Sequence, residues 1–257
     1  MGVLDSILSA KRAFVRELSS FRLPSPPARR ALNLKRPEAA ELRLIAEIKR
    51  RSPSAGALST RLSVAERAAA YERGGARMVS VLTDTPFFDG AYEHLQHARD
   101  ACALPLLCKD FVIDERQLDA ARAFGADAVL LIVRCIGDDL ERLHRAALER
   151  DLVPFVEVAT EDEARAALQV GAQLVGVNAR DLDTLVMDPA RAARVLALLQ
   201  PQVARVHLSG LGSPEAVRGI AGSGVDAALI GEALMRADDP VPLLRAMVAE
   251  ARSVTAE

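Results

Sequence analysis

The stretch LIAEIKRRSPSAG, Leu44 to Gly56, begins as a buried strand and then carries Glu47 and Lys49 where a dry strand stays apolar. Residues two apart in a strand share a face, so Glu47 and Lys49 point together while Ile48 points the other way. An unpaired charge sealed in a dry interior costs several kcal/mol. The sheet that holds this strand must therefore open one face to water or ligand at the strand's carboxyl end.

Runs of the same kind recur along the chain: LIAEI (44–48), MVSVLT (78–83), PLLCKDF (105–111), AVLLIV (128–133), VPFVEV (153–158), LVGVN (174–178), VARVHLSG (203–210) and AALIG (227–231). Between them lie Ala-, Leu-, Arg- and Glu-rich segments with helical spacing, several closing on a glycine suited to a left-handed cap. Starts separated by 34, 27, 23, 25, 21, 29 and 24 residues leave room for one crossover helix each, so all eight strands can be parallel. Eight alternating units fit either an open doubly wound sheet or a closed (β/α)8 barrel. The charges decide between them. Helices cover both faces of an open parallel sheet, and Glu47, Lys49 and Glu157 would be buried there. In a barrel, inward residues at the carboxyl ends open onto a solvated mouth. Lys109 and Phe111 repeat the pattern on the third run, Phe155 and Glu157 on the fifth, and Asn178 ends the sixth. A single strand-end charge is often just the first solvated loop residue. Two Lys and two Glu on three strands, at the same end and in matching parity, predict a converging polar ring. Their chemistry is complementary: an amine whose pKa falls on desolvation or beside another cation serves as a general acid, and a carboxylate beside it as the base.

The chain has 257 residues, 50% hydrophobic and 26% charged, enough for a full-sized core. A net charge of -2, with no basic run interleaved with aromatics, argues against a nucleic-acid partner. In MGVLDSILSAKRAFVRELSS, Asp5, Lys11, Arg12, Arg16 and Glu17 interrupt the apolar positions, which reads as an amphipathic helix rather than a signal peptide. With no run long enough to span a membrane, a cytoplasmic protein is expected. Cys102, Cys108 and Cys135 form no CxxC pair, and His94, His97, His144 and His207 have no partners at ligand spacing, so no metal site is expected.

Taken in order from about Leu44 to Pro240, the segments IAEIKRRSPSAG, SVLTDTPFFDG, PLLCKDFVIDERQ, GADAVLLIV, VEVATEDE, GVNARDLDTL and LIGEALMRADDP resemble the indole-3-glycerol phosphate synthase family. The resemblance implies one TIM-type (β/α)8 barrel domain over residues 1–257, with residues 1–43 as an N-terminal helical extension packed near the top. It implies closure of 1-(2-carboxyphenylamino)-1-deoxyribulose 5-phosphate to indole-3-glycerol phosphate, with loss of carbon dioxide and water and without cofactor or metal. The family pattern makes Lys109 the principal general acid at the substrate carbonyl and Glu157 its carboxylate partner, joined by Lys49 and Glu47. Asn178 resembles the family's polar group near the substrate hydroxyls, and Phe88 and Phe111 the apolar wall around the anthranilate ring. Arg180 is a further substrate-binding candidate. Such a substrate requires a phosphate site, and three segments offer one: Ser52 and Ser54 after the first strand, Ser209 and Gly210 after the seventh, Gly231 and Glu232 after the eighth. Glycines there let backbone N–H groups face an anion. Glu232 can contribute only its N–H, since its carboxylate would repel phosphate.

Two positions depart from the family pattern. Leu208 stands where a glutamate is usual, which is expected to leave Lys49 or Asn178 without a hydrogen-bond partner and to weaken catalysis. Arg134 stands where a lysine is common, keeping the charge but not the shape. The competing readings are a catalytically weakened phosphosugar-binding barrel and a related phosphosugar isomerase. The isomerase would want a cysteine base early in the first strand, where this chain has none.

Overall fold

A computed structural model describes residues 2–36, 41–53, 55–182 and 184–252 and turns the eight runs into eight strands. These are β1 (Arg43–Ile48), β2 (Met78–Leu82), β3 (Leu106–Lys109), β4 (Ala128–Ile132), β5 (Val153–Val158), β6 (Leu174–Asn178), β7 (Ala204–Leu208) and β8 (Ala227–Ile230). Each pairs in parallel with its sequence neighbours. The ring closes because β1 pairs with β2, Ile45 beside Met78, and with β8, Ala46 beside Ile230.

The period of two sorts the apolar side chains into two layers. Ile45, Met78, Leu107, Leu130, Phe155 and Val206 fill the barrel, while Leu44, Ile48, Val79, Val129 and Val175 pack outward beneath the helices. Burial on both faces explains why the runs are almost continuously apolar. Helices begin where the sequence supplies caps: Ser63 with Glu66, Asp114 with Gln117 and Thr160 with Glu163 form reciprocal capping boxes. Two runs are each shorter by three residues than the sequence suggests. The third strand stops at Lys109, leaving Phe111 in the following loop, and the seventh stops at Leu208, because Ser209 and Gly210 turn into the left-handed region with φ of 74° and 83°.

The N-terminal extension is only partly helical. Helix α1 (Val3–Leu18) buries Leu4, Ile7, Lys11, Val15 and Leu18 along one stripe. Residues 21–36 run without regular structure, since Pro24, Pro26 and Pro27 remove backbone donors. That segment closes the opposite, amino-terminal end of the barrel. The Arg30 N–H donates to Asp127 Oδ1 (2.6 Å) just before β4, Lys35 pairs with Asp226 (3.0 Å) just before β8, and Leu34 enters the inward apolar layer. The extension thus reaches both ends of the barrel rather than the top alone. Among the described residues, no helix is long and apolar enough to cross a membrane.

Candidate active site

A cavity of about 470 Å³ opens at the carboxyl ends of the strands, a volume in the range of small-molecule sites. Every candidate residue of the sequence reading lines it except Ser54, which lies outside the described residues. Glu47 from β1, Lys49 directly after it, Lys109 from β3, Glu157 from β5 and Asn178 from β6 stand in one ring, as the parity argument predicts. Phe88 and Phe111, from the loops after β2 and β3, stand with ring centroids 6.0 Å apart. Across the mouth, Ser209, Gly210, Gly231 and Glu232 follow the neighbouring strands β7 and β8.

The ring is internally paired. Lys49 Nζ lies 2.7 Å from Glu47 Oε1, and Lys109 Nζ lies 3.4 Å from Glu157 Oε2. Asn178 Nδ2 donates to Glu157 Oε1 (2.8 Å), while its Oδ1 accepts from Ser209 Oγ (2.9 Å) and from the Arg180 N–H (3.0 Å). The left-handed turn at Ser209, costing about 1 kcal/mol or more for a non-glycine residue, brings that hydroxyl back to Asn178. Burial works against the Lys109 ammonium, but Glu157 and Glu47 more than offset it and hold its pKa above the ordinary value. The direction is opposite to the lowering expected of a desolvated lysine and favours the protonated amine. Burial likewise disfavours the Glu47 carboxylate, yet Lys49 and Lys109 keep its pKa below the usual range.

Leu208 leaves no hole in this network. Lys49 has Glu47, and both ends of the Asn178 amide are engaged, so the expected orphan partner is absent. Leu208 instead packs inward beside Gly176, where an added Cβ would come within 2.7 Å of Leu208 Cδ1 and 2.5 Å of the Phe155 ring. Arg134 lies outside the cavity wall and joins Glu163 (3.3 Å) to Asp181 (2.9 Å), a two-carboxylate geometry suited to a planar guanidinium. Arg236 neutralises the Glu232 carboxylate (2.8 Å), leaving its backbone at the cavity edge. Among the described residues, no group of three or more His, Cys, Asp or Glu is placed to hold a metal ion.

The sequence reading did not include Val3, Leu4 and Ile7 of α1, or Leu130, Ile132 and Leu182, all of which line the cavity. One signal was present: Lys11 interrupts the otherwise apolar buried stripe of α1, as Glu47 and Lys49 interrupt β1.

Lysines and carboxylates converging at the carboxyl ends of parallel barrel strands define an acid–base enzyme of the (β/α)8 class. Within that class the chain belongs to the indole-3-glycerol phosphate synthase family, whose family model matches residues 6–247. It is 39% identical to an indole-3-glycerol phosphate synthase of Exiguobacterium sp., over 95% of each chain. It is 42% identical to that of Mycobacterium leprae, over 96% of this chain and 93% of the relative. Among solved structures, thiamine phosphate pyrophosphorylase from Pyrococcus furiosus aligns with a TM-score of 0.64 at 19% identity, covering 84% of this chain and 98% of that one. The 3-hexulose-6-phosphate synthase of Salmonella typhimurium aligns with a TM-score of 0.64 at 15% identity, over 82% and 98%. These last two likenesses concern the fold alone.

Proposed function

We propose that this protein is a carbon–carbon lyase of tryptophan biosynthesis, closing 1-(2-carboxyphenylamino)-1-deoxyribulose 5-phosphate to indole-3-glycerol phosphate with release of carbon dioxide and water. The observation that carries the reading is the pairing of Lys109 with Glu157 (3.4 Å) between an aromatic wall and a glycine-lined rim. The substrate's aminobenzoate ring rests against Phe88 and Phe111. Its phosphate lies at the backbone of Ser209, Gly210, Gly231 and Glu232, near Ser52 and Arg180.

In this pose, the ring carbon bearing the carboxylate attacks the ketone carbon. A C–C bond forms, the carbonyl π pair moves to oxygen, and Lys109 delivers the proton that makes it a hydroxyl. Cleavage of the C–carboxylate bond releases carbon dioxide and returns its electron pair to the ring. The hydroxyl then leaves as water with a proton from a lysine, and a carboxylate takes the C–H proton that completes the indole. Glu157 also stabilises positive charge developing at the substrate nitrogen. Its orientation is fixed by Asn178, and Lys49 is oriented by Glu47. Preorganised dipoles of this kind cost no reorganisation at the moment of reaction. The reading includes a cytoplasmic location, supported by the three cysteines Cys102, Cys108 and Cys135, which are free thiols.

The test is turnover of the carboxyphenylamino substrate by the purified chain, followed by indole fluorescence, with Lys109→Met and Glu157→Gln alongside. Product formation by the parent and its loss in both variants is expected. A parent that forms no indole, or variants that match it, would reject the assignment.

A further inference from the structure

Lys11 lies midway along the buried stripe of α1 and is 2% exposed. Its ammonium is 2.8 Å from Asp84 Oδ2 and 2.6 Å from Asp110 Oδ1. Those residues are 0% and 1% exposed, so the triad is sealed from water. A well-packed apolar side chain would hold the helix at least as well, because desolvating charges is costly. What the ammonium adds is direction: it fixes two carboxylates on one point.

Each carboxylate organises one loop of the mouth. Asp84, two residues after β2, accepts from the Phe87 N–H (3.0 Å), and its carbonyl accepts from the Gly90 N–H (2.9 Å), folding the turn that presents Phe88. Asp110 directly follows Lys109. It accepts from the Phe111 N–H (2.7 Å), from Thr83 Oγ1 (3.0 Å) and from the Tyr92 hydroxyl (3.5 Å). Both rings of the aromatic wall, and the backbone from which Lys109 projects, are therefore tied to a single nitrogen on α1.

We propose that Lys11 is a positioning residue for the reaction, setting the Phe88–Phe111 wall and the aim of Lys109 by drawing Asp84 and Asp110 onto one ammonium. The inference rests on the reading of the cavity given under the proposed function. Burial opposes the charge on Lys11, but Asp110 and Asp84 more than restore it, so the amine stays protonated above its ordinary pKa. Without it, two buried carboxylates face each other with no countercharge, and the loops they hold must part or take up a proton.

The experiment compares Lys11→Met and Lys11→Arg with the parent in the full chain, at a temperature where circular dichroism shows each variant fully folded. In Lys11→Met, KM for the carboxyphenylamino substrate should rise and kcat should fall, each by about tenfold, one decade being about 1.4 kcal/mol. Competitive inhibition by inorganic phosphate, which engages the opposite rim, should stay within about twofold, a change of less than half a kcal/mol. Lys11→Arg should recover part of the loss. A folded Lys11→Met protein with parental kcat and KM would overturn the inference, as would equal weakening of substrate and phosphate. If Lys11→Met fails to fold, Asp84→Asn, which keeps the Lys11–Asp110 pair, should raise KM severalfold without moving phosphate inhibition, and a parental KM would overturn the proposal. A parent without indole-forming activity defeats the reading of the site and this inference with it. An active parent beside an unaffected variant defeats this inference alone.

Discussion

Leu208→Glu measures how complete the pairing at the barrel mouth is. Leu208 ends β7, is 3% exposed and shares with Phe155 the space beside Gly176. Removing its buried isobutyl group forfeits about 1.5–3 kcal/mol of apolar burial. The new carboxylate then needs a partner, and each nearby donor group is already held in place by another carboxylate. Lys49 is held at 2.7 Å by Glu47, and Asn178 is engaged at both ends of its amide. The longest of these pairings is Lys109 to Glu157 at 3.4 Å, so the carboxylate gains a partner chiefly by drawing Lys109 off Glu157. A hydrogen bond to a charged group is worth about 1.5–3 kcal/mol, which corresponds to a kcat lower by roughly tenfold or more. The global cost should be about 2–4 kcal/mol, burial and desolvation taken together. Urea unfolding midpoints and indole fluorescence at saturating substrate measure the two effects. A folded Leu208→Glu protein that is faster than the parent would refute the reasoning, because it would mean that the mouth lacks a carboxylate the present network does not supply.

Lys109→Ala should lower kcat by about 10² to 10⁴, the usual contribution of a positioned acid, and a loss under tenfold in steady-state assays would remove it from the mechanism. Gly231→Asp should raise KM and also lower kcat, because a Cβ there would sit 2.5 Å from Glu47 Oε1 and push it off Lys49; a pure KM effect would contradict that placement. Glu47 gives a signed pH dependence. Its folded pKa lies below the ordinary 4.5, so its contribution to stability is fully present above that pH and is lost as pH falls through the folded value. The stability gap between the parent and Glu47→Gln should therefore narrow below pH 4.5 in denaturant titrations, and a gap unchanged down to pH 3, by about the same kcal/mol, would contradict the pairing.

The barrel and its polar ring are legible in the sequence because strand parity is local. Charges two apart at a strand end, repeated on successive strands, leave few folds in which all of them can be solvated. The roles of Asp84 and Asp110 are not legible, because each looks like an ordinary loop aspartate until α1 places Lys11 between them. The partners of Lys49 and Asn178 beside Leu208 are not legible for a similar reason. Asn178 is held by Glu157, by the Arg180 N–H and by Ser209 at a positive φ, and nothing local in RVHLSG announces a backbone reversal at a serine. The sequence reading takes residues 1–43 as helical, whereas 21–36 is irregular and its attachment to Asp127 and Asp226 depends on contacts far apart in the chain.

The central claim is that this mouth performs ring closure with decarboxylation, and the most direct test is product stoichiometry. The purified chain is supplied with 1-(2-carboxyphenylamino)-1-deoxyribulose 5-phosphate, labelled in the carboxylate carbon, and both indole product and released carbon dioxide are counted over the same time course. The account predicts that the two appear together in equal amounts, and that neither appears with Lys109→Met. Conversion of the substrate without release of labelled carbon dioxide, or no conversion by a folded parent, would contradict it.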